Sequence, residues 1–148
     1  MTPSISIRDA IPSDADALSE LITELGYRLS PPGIVQRLDR HNDDFSKVFV
    51  AIAEGRVAGF LSFHAIPLLH ESSSLGRITA MAIHSDYQRQ GIGTSLVQAA
   101  EDHARSLNCS RLEVTSGDHR EQDAHVFYTS LGYRSDCRRF LKPLPASA

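Results

Sequence analysis

The sequence predicts an α/β protein of the α+β type: a single mixed, mostly antiparallel β-sheet with helices on both faces. Three observations carry that prediction. Two β-rich runs, 47–53 and 57–66, are separated only by Glu54-Gly55-Arg56, the pattern of an antiparallel hairpin with glycine in its loop. A further β-rich run, 75–84, is followed by a glycine-containing turn, a long amphipathic segment and another short β-rich run, the pattern of a parallel βαβ crossover. Two amphipathic helical signals precede the hairpin, so helices flank the strands in sequence on both sides.

The elements follow in order. Ser4 to Arg8 alternates, with Ile5 and Ile7 on one face, and reads as the first strand. Ile11 to Asp16 reads as a helix entrance, with Ser13 as the cap and Asp16 as a weaker capping-box partner. Ala15, Leu18, Leu21, Ile22 and Leu25 then form one apolar stripe, which Gly26 ends. Ser30-Pro31-Pro32 opens a second short helix with Ile34, Val35 and Leu38 on its inner side. After the hairpin, Pro67 to Ser74 is a loop. Leu75 to His84 is a strand, apolar on both faces between Ile78 and Ile83 as a central strand requires. A helix from about Gly91 to Leu107 carries Ile92, Leu96, Ala99, Ala100 and Leu107 at helical spacing. Arg111 to Thr115 is a strand, Glu121 to Leu131 a helix ended by Gly132, and Tyr133 to Leu141 a final strand. The order β-α-α-β-β-β-α-β-α-β places residues 1–142 in a single domain and leaves 143–148 as a flexible tail.

At 148 residues, one domain with its own core is expected. The net charge of −3 and the absence of a long basic run argue against bulk nucleic-acid binding, which needs a phosphate-neutralising surface. Cys109 and Cys137 have no metal-ligand spacing and build no disulfide framework, so a reducing, cytoplasmic setting is expected. No run approaches the ~20 apolar residues that span a bilayer, so no membrane partner is expected. Asp118, His119, Asp123 and His125 straddle a loop-to-helix boundary, unlike a histidine pair on one helix face, so no metal is expected.

The most informative stretch is Gln88-Arg89-Gln90-Gly91-Ile92-Gly93-Thr94. It lies between a strand and a long helix, where the first helical N–H groups lack partners and the helix dipole is positive. Gly91 and Gly93 allow a phosphate to approach the peptide groups, and Arg89 adds a fixed charge. A nucleoside-triphosphate loop would need four residues between glycines and a following lysine; one residue separates them and Thr94 follows. A dinucleotide fingerprint would need a small residue where Leu96 stands. A diphosphate held by backbone amides and one arginine, as in coenzyme A, meets neither objection.

The run Ile83-His84-Ser85-Asp86-Tyr87-Gln88-Arg89-Gln90-Gly91-Ile92-Gly93-Thr94-Ser95-Leu96 resembles the cofactor motif of the GNAT superfamily of acetyl-CoA-dependent N-acetyltransferases. Ala124-His125-Val126-Phe127-Tyr128-Thr129-Ser130-Leu131-Gly132-Tyr133 is similar to that family's later Phe-Tyr motif. The resemblance is clear over roughly residues 75 to 140. It implies the acyl-CoA N-acyltransferase fold and acetyl-CoA as co-substrate, with direct transfer to a primary amine of a small molecule or peptide. The alternative is a non-catalytic acyl-CoA-binding or regulatory module of the same fold. It further implies that Gln88, Arg89, Gln90, Gly91, Ile92, Gly93 and Thr94 hold the diphosphate. The pantetheine arm would lie along Met81, Ala82 and Ile83, with Phe127 and Tyr128 near the sulfur. Tyr128 is the implied proton donor to the leaving thiolate. Where many relatives carry a glutamate base this chain has Thr79, so Glu24, His64, Glu71, His84, Glu113 or a water chain to one of them stay open as the base. Glu121 stands where many relatives have asparagine. Neither cysteine sits in a nucleophile context, the segments Leu18 to Asp44 and Pro67 to Leu75 are expected to shape the acceptor site, and the resemblance is compatible with a homodimer.

Overall fold

The computed structural model describes residues 4–115 and 124–146. The chain forms two compact units, residues 1–115 and 116–148. In the first, β1 (Ile5–Asp9), α1 (Ala15–Glu24), α2 (Pro31–Leu38), β2 (Asn42–Asp43), β3 (Ser46–Ala53), β4 (Arg56–Pro67), β5 (Ser74–Ile83), α3 (Ile92–Ser106) and β6 (Cys109–Val114) follow in order. They build one six-stranded sheet in the order β1-β3-β4-β5-β6, with β2 paired to β3. Every pairing is antiparallel except β5 with β6, the two strands that α3 connects.

Alternation assigns the two faces. Val50, Phe60 and Ala82 are register partners and pack with Leu18, Leu21, Ile34 and Leu38 of α1 and α2 in one core. Phe49, Leu61 and Met81 point the other way, toward α3, where the His103 ring meets Phe49 and Phe63 edge-on at 5.8 and 5.2 Å. The amphipathic stripes of α1 and α3 therefore face opposite sides of one sheet, and Leu21, Leu61, Phe63 and Leu96 are essentially solvent-free. The β3–β4 turn takes Glu54 (φ 53°) and Gly55 (φ 74°) into the left-handed region, the conformation a two-residue hairpin of matching twist needs. Helix α1 ends at Gly26 (φ 100°), with Tyr27 N–H donating to the Ile22 carbonyl at 3.2 Å.

One register shift bears on the site. Ser62 pairs with Ala80 and Phe63 with Ile78, so Thr79 is one extra residue in β5. Its hydroxyl donates to the Ser62 carbonyl at 3.4 Å.

The second unit contains α4 (Val126–Ser130), preceded by a wider helical turn at Ala124 and His125. Gly132 (φ 95°) ends it, with Tyr133 N–H donating to the Tyr128 carbonyl at 3.0 Å. Residues 121–123 of the expected helix lie outside the described residues.

Two sequence expectations are corrected, and one short strand is added. The final strand, Tyr133 to Leu141, is not formed: these residues join no ladder among the described residues, and 134–146 are exposed. A β-rich run becomes a strand only when a partner satisfies its peptide groups. Ser13 does not cap α1. Asp14 organises the entrance instead, accepting from Ile11 N–H at 2.8 Å and from both Arg8 Nη atoms at 2.8 and 2.9 Å. The short β2 was not anticipated; the Asp43 carboxylate makes its turn by accepting from the N–H groups of Phe45 and Ser46, each at 2.8 Å.

The Arg8–Asp14 fork ties β1 to α1. Burial pushes the Asp14 carboxyl upward, but the Arg8 guanidinium and the Ile11 N–H outweigh it and hold the group below the usual carboxylate range. Because the folded value is depressed, the stabilisation is complete above the unfolded value near 4 and is lost as pH falls through the folded one. Arg8 is 41% exposed, which discounts the pair. Asp14→Asn should cost about 1–2 kcal/mol at pH 7. In denaturant titrations the difference from the parent should shrink progressively below about pH 4.

Candidate active site

The turn from β5 into α3 is built for an anion. Helix α3 starts at Ile92 with Gly91 (φ 81°) as its cap, and no side chain caps it. The N–H groups of Ile92, Gly93 and Thr94 therefore have no partner within the helix. Arg89 also adopts a positive φ of 62°, unusual for a residue with a side chain, and its guanidinium has no ion-pair partner among the described residues. A Cβ placed at Gly91 would meet nothing within 4 Å, so the concavity is open. Gln88 Nε2 donates to the Ile83 carbonyl at 3.1 Å and folds the turn back on β5. Gln90 Oε1 is buried without a partner, an acceptor that a hydroxyl, amide or water of an incoming ligand would satisfy.

This turn is held in place by close packing at Gly59. A Cβ there would lie 2.9 Å from the Ala82 carbonyl oxygen, 3.0 Å from Ile83 Cδ1 and 3.3 Å from Ile92 Cγ2. Glycine lets β4, β5 and the first residue of α3 meet. The His84 N–H donating to the Ala58 carbonyl at 2.7 Å closes the same corner.

Strand β5 pairs with β6 only from Ser74 to Ile78, the last pair being Ile78 with Val114. From Thr79 to Ile83 it keeps β4 on one edge, and no strand pairs with its other edge among the described residues. Half the peptide groups of Met81, Ala82 and Ile83 thus offer donors and acceptors to an extended ligand. An anion cradle and a free strand edge are consecutive along the chain, which suits a ligand with a diphosphate and a long amide-bearing arm.

On the opposite face, α1 and α2 line an open cavity of about 360 Å³ over Phe60, Ser62 and Ala80. Its walls are mostly apolar, with Tyr27, Arg28, Arg37 and His41 as the charged or titratable members. The His41 Nδ1 lies 2.8 Å from the Arg37 carbonyl. A carbonyl only accepts, so Nδ1 carries the hydrogen and the neutral ring keeps its lone pair at Nε2. His64, on β4, meets the His41 ring edge-on at 5.1 Å and lies 3.2 Å from Ser46 Oγ through Nδ1. Burial, then the neighbouring His41, push the His64 imidazole below its ordinary value, so it is neutral at physiological pH.

None of the five base candidates read from the sequence lines this cavity. His64 touches it through His41. His84 spends its Nδ1 lone pair on the Asp86 N–H at 3.1 Å. Glu71 is 2.9 Å from Arg111, Glu113 is 3.8 Å from Arg77, and Glu24 is exposed on the last turn of α1. His41, the imidazole that does line the cavity, was missed; its signal was a histidine four residues after Arg37, placed to bond back to that carbonyl. Phe127 and Tyr128 belong to the second unit, where the half-buried Tyr128 ring contacts those of Phe127 at 5.0 Å and Tyr133 at 5.8 Å. Asp118, His119 and Asp123 lie outside the described residues, as do Arg120 and Glu121.

The sequence model of the acetyltransferase (GNAT) family matches residues 15–133. The chain belongs to the acetyltransferase (GNAT) family. An aminoalkylphosphonate N-acetyltransferase of Salmonella typhimurium is 30% identical over 147 residues, 96% of this chain and 93% of that protein. An aminoglycoside N(6')-acetyltransferase type 1 of Stenotrophomonas maltophilia is 29% identical, over 97% of this chain and 96% of that one. The structure of a transcriptional regulator from Bacillus halodurans C-125 superposes with a TM-score of 0.86 at 23% identity, covering 95% of this chain and 100% of that one, which speaks to the fold alone. This GNAT protein is an acetyl-transferring enzyme. The family's co-substrate, acetyl-CoA, fits what the residues offer: an uncapped helix start, an unpaired Arg89 and a free strand edge. No helix among the described residues is long and apolar enough to cross a membrane.

Gly59→Ala should lower stability by about 1–3 kcal/mol through overpacking. Because the displaced atoms belong to β5 and Ile92, coenzyme A affinity measured by calorimetry should fall with Tm.

Proposed function

We propose that this GNAT enzyme transfers the acetyl group of acetyl-CoA directly to the primary amine of a small molecule. The observation that carries the reading is the continuity of the anion cradle at residues 88–94 with the edge of β5 that no described strand pairs, beside an open cavity on the α1–α2 face. The two curated relatives are named for acetylating small amines, which supports the acceptor class.

The diphosphate is assigned to the N–H groups of Gln88 to Thr94, with the Arg89 guanidinium and Thr94 hydroxyl beside them. Each charge-assisted hydrogen bond of this kind contributes about 1.5–3 kcal/mol. The arm pairs along Met81, Ala82 and Ile83, and a peptide N–H of that stretch donates to the thioester oxygen as negative charge develops there. The amine enters from the cavity. Its nitrogen forms the new C–N bond, its proton goes to Nε2 of His41 directly or through water, and the C–S bond breaks. Tyr128 is assigned the proton for the departing thiolate on its place in the Phe-Tyr motif. Neutral His64, edge-on to His41, adds no competing positive charge. The free thiols of Cys109 and Cys137 go with a reducing, cytoplasmic setting, and neither is given a covalent role.

The test combines coenzyme A calorimetry with thiol release across an amine panel. Saturable binding and amine-dependent release are expected. Arg89→Ala should weaken binding about tenfold or more. Tyr128→Phe should keep affinity and lose rate. A folded sample that gives no heat with coenzyme A would end the reading.

His41→Asn should lower kcat at neutral pH. Its deficit should narrow at high pH, where the amine already lacks its proton. A deficit constant across the pH profile would remove His41 as the base.

A further inference from the structure

The walls of the α1–α2 cavity distinguish between kinds of amine. Arg28 lies in the connection between the two helices, which the Ser19 hydroxyl pins by donating to the Leu29 carbonyl at 2.6 Å. Arg37 lies on the last turn of α2. Both line the cavity. Both are exposed, and neither has an ion-pair or side-chain hydrogen-bond partner among the described residues, so their guanidiniums are free to meet an anion. Among the described residues no aspartate or glutamate lines the cavity, although the chain as a whole is acidic at −3. Apart from Tyr27, His41 and Ser62 the remaining wall is apolar, with Leu18, Ile34, Val48 and Phe60 among its members.

This combination disfavours a polycation. Several ammonium groups would lose water against an apolar wall and meet two like charges, with no carboxylate to compensate. It favours a molecule with an apolar body and one anionic group, because a guanidinium matches phosphonate, phosphate or carboxylate oxygens two at a time. A volume of about 360 Å³ is enough for such a ligand.

We infer that the acceptor is an amphipathic amine whose anionic group is held by Arg28 and Arg37, with its apolar body on Phe60 and its amine toward Ser62 and Ala80. The inference rests on the reading of this cavity as the acceptor site. The anion fixes one end, so the amine is presented at the β5 level, where the acetyl group arrives. His41, on the same wall, then receives the proton.

Three probes separate the possibilities on the full chain: 1-amino-2-phenylethylphosphonate, its uncharged diethyl ester, and kanamycin. The phosphonate should exceed the other two in kcat/KM by about tenfold or more. Arg28→Gln and Arg37→Gln should each raise KM for the phosphonate and shrink its preference over the ester toward one. Equal or better use of the ester or kanamycin, or an unchanged preference in both variants, overturns the inference while leaving acetyl transfer intact. If no amine is acetylated, calorimetry of the phosphonate against the coenzyme A complex decides separately. Binding that both variants weaken supports the anion site even as the transfer reading fails, and absence of binding overturns it.

Discussion

The candidate site depends on one constraint: among the described residues β5 is paired from end to end on one edge, with the single bulge at Thr79, but only over its first half on the other. Pairing with β4 from Gly59 to Pro67 keeps the strand rigid, while the ladder to β6 stops at Ile78 and Val114. A fully paired strand would have no peptide groups left to offer, and an unsupported one would not hold them in line. Helix α3 begins just beyond the open half, and Gly59 lets its first residue sit against the same strands. The backbone that can receive a ligand arm and the backbone that can receive its phosphates are thus fixed to one another by packing.

The two faces of the sheet divide the work. On the α3 face, Ile92, Leu96, Val97 and Ala100 bury fully, while the helix start leaves its first N–H groups uncapped. On the other face, α1 and α2 also bury their stripes against Val50 and Phe60, but they leave a volume between themselves and the sheet. That volume meets the open half of β5 through Ala80. In the proposed reading, a donor on the strand edge and an acceptor in the cavity would approach the same few residues from different directions.

Much of this was legible in the sequence, because periodicity reports burial and burial built these elements. The stripe of Leu18, Leu21 and Ile22, the hairpin at Glu54-Gly55 and the crossover around α3 all follow local rules that the core then reinforced. What escaped depended on partners distant in sequence. Ser13 and Asp14 are both cap-type residues, and Arg8 decided between them. The run from Tyr133 has strand-like composition, yet no ladder among the described residues completes it. His41 gained its meaning from a cavity and from His64, neither visible in its local sequence.

The extra residue at Thr79 shifts the phase of the strand. Before it, Ile78 is the even-numbered residue that looks toward α3; after it, the odd-numbered Met81 and Ile83 do. Forcing that residue into regular pairing, in place of leaving it bulged, would invert whichever half of the strand gave way. Were the second half to turn, the bulky Met81 and Ile83 would project toward α1 and α2, and the small Ala80 and Ala82 would face α3. The spaciousness of the α1–α2 side is thus written into a counting irregularity, and a comparison that counts positions along β5 without it would assign side chains to the wrong side of the sheet.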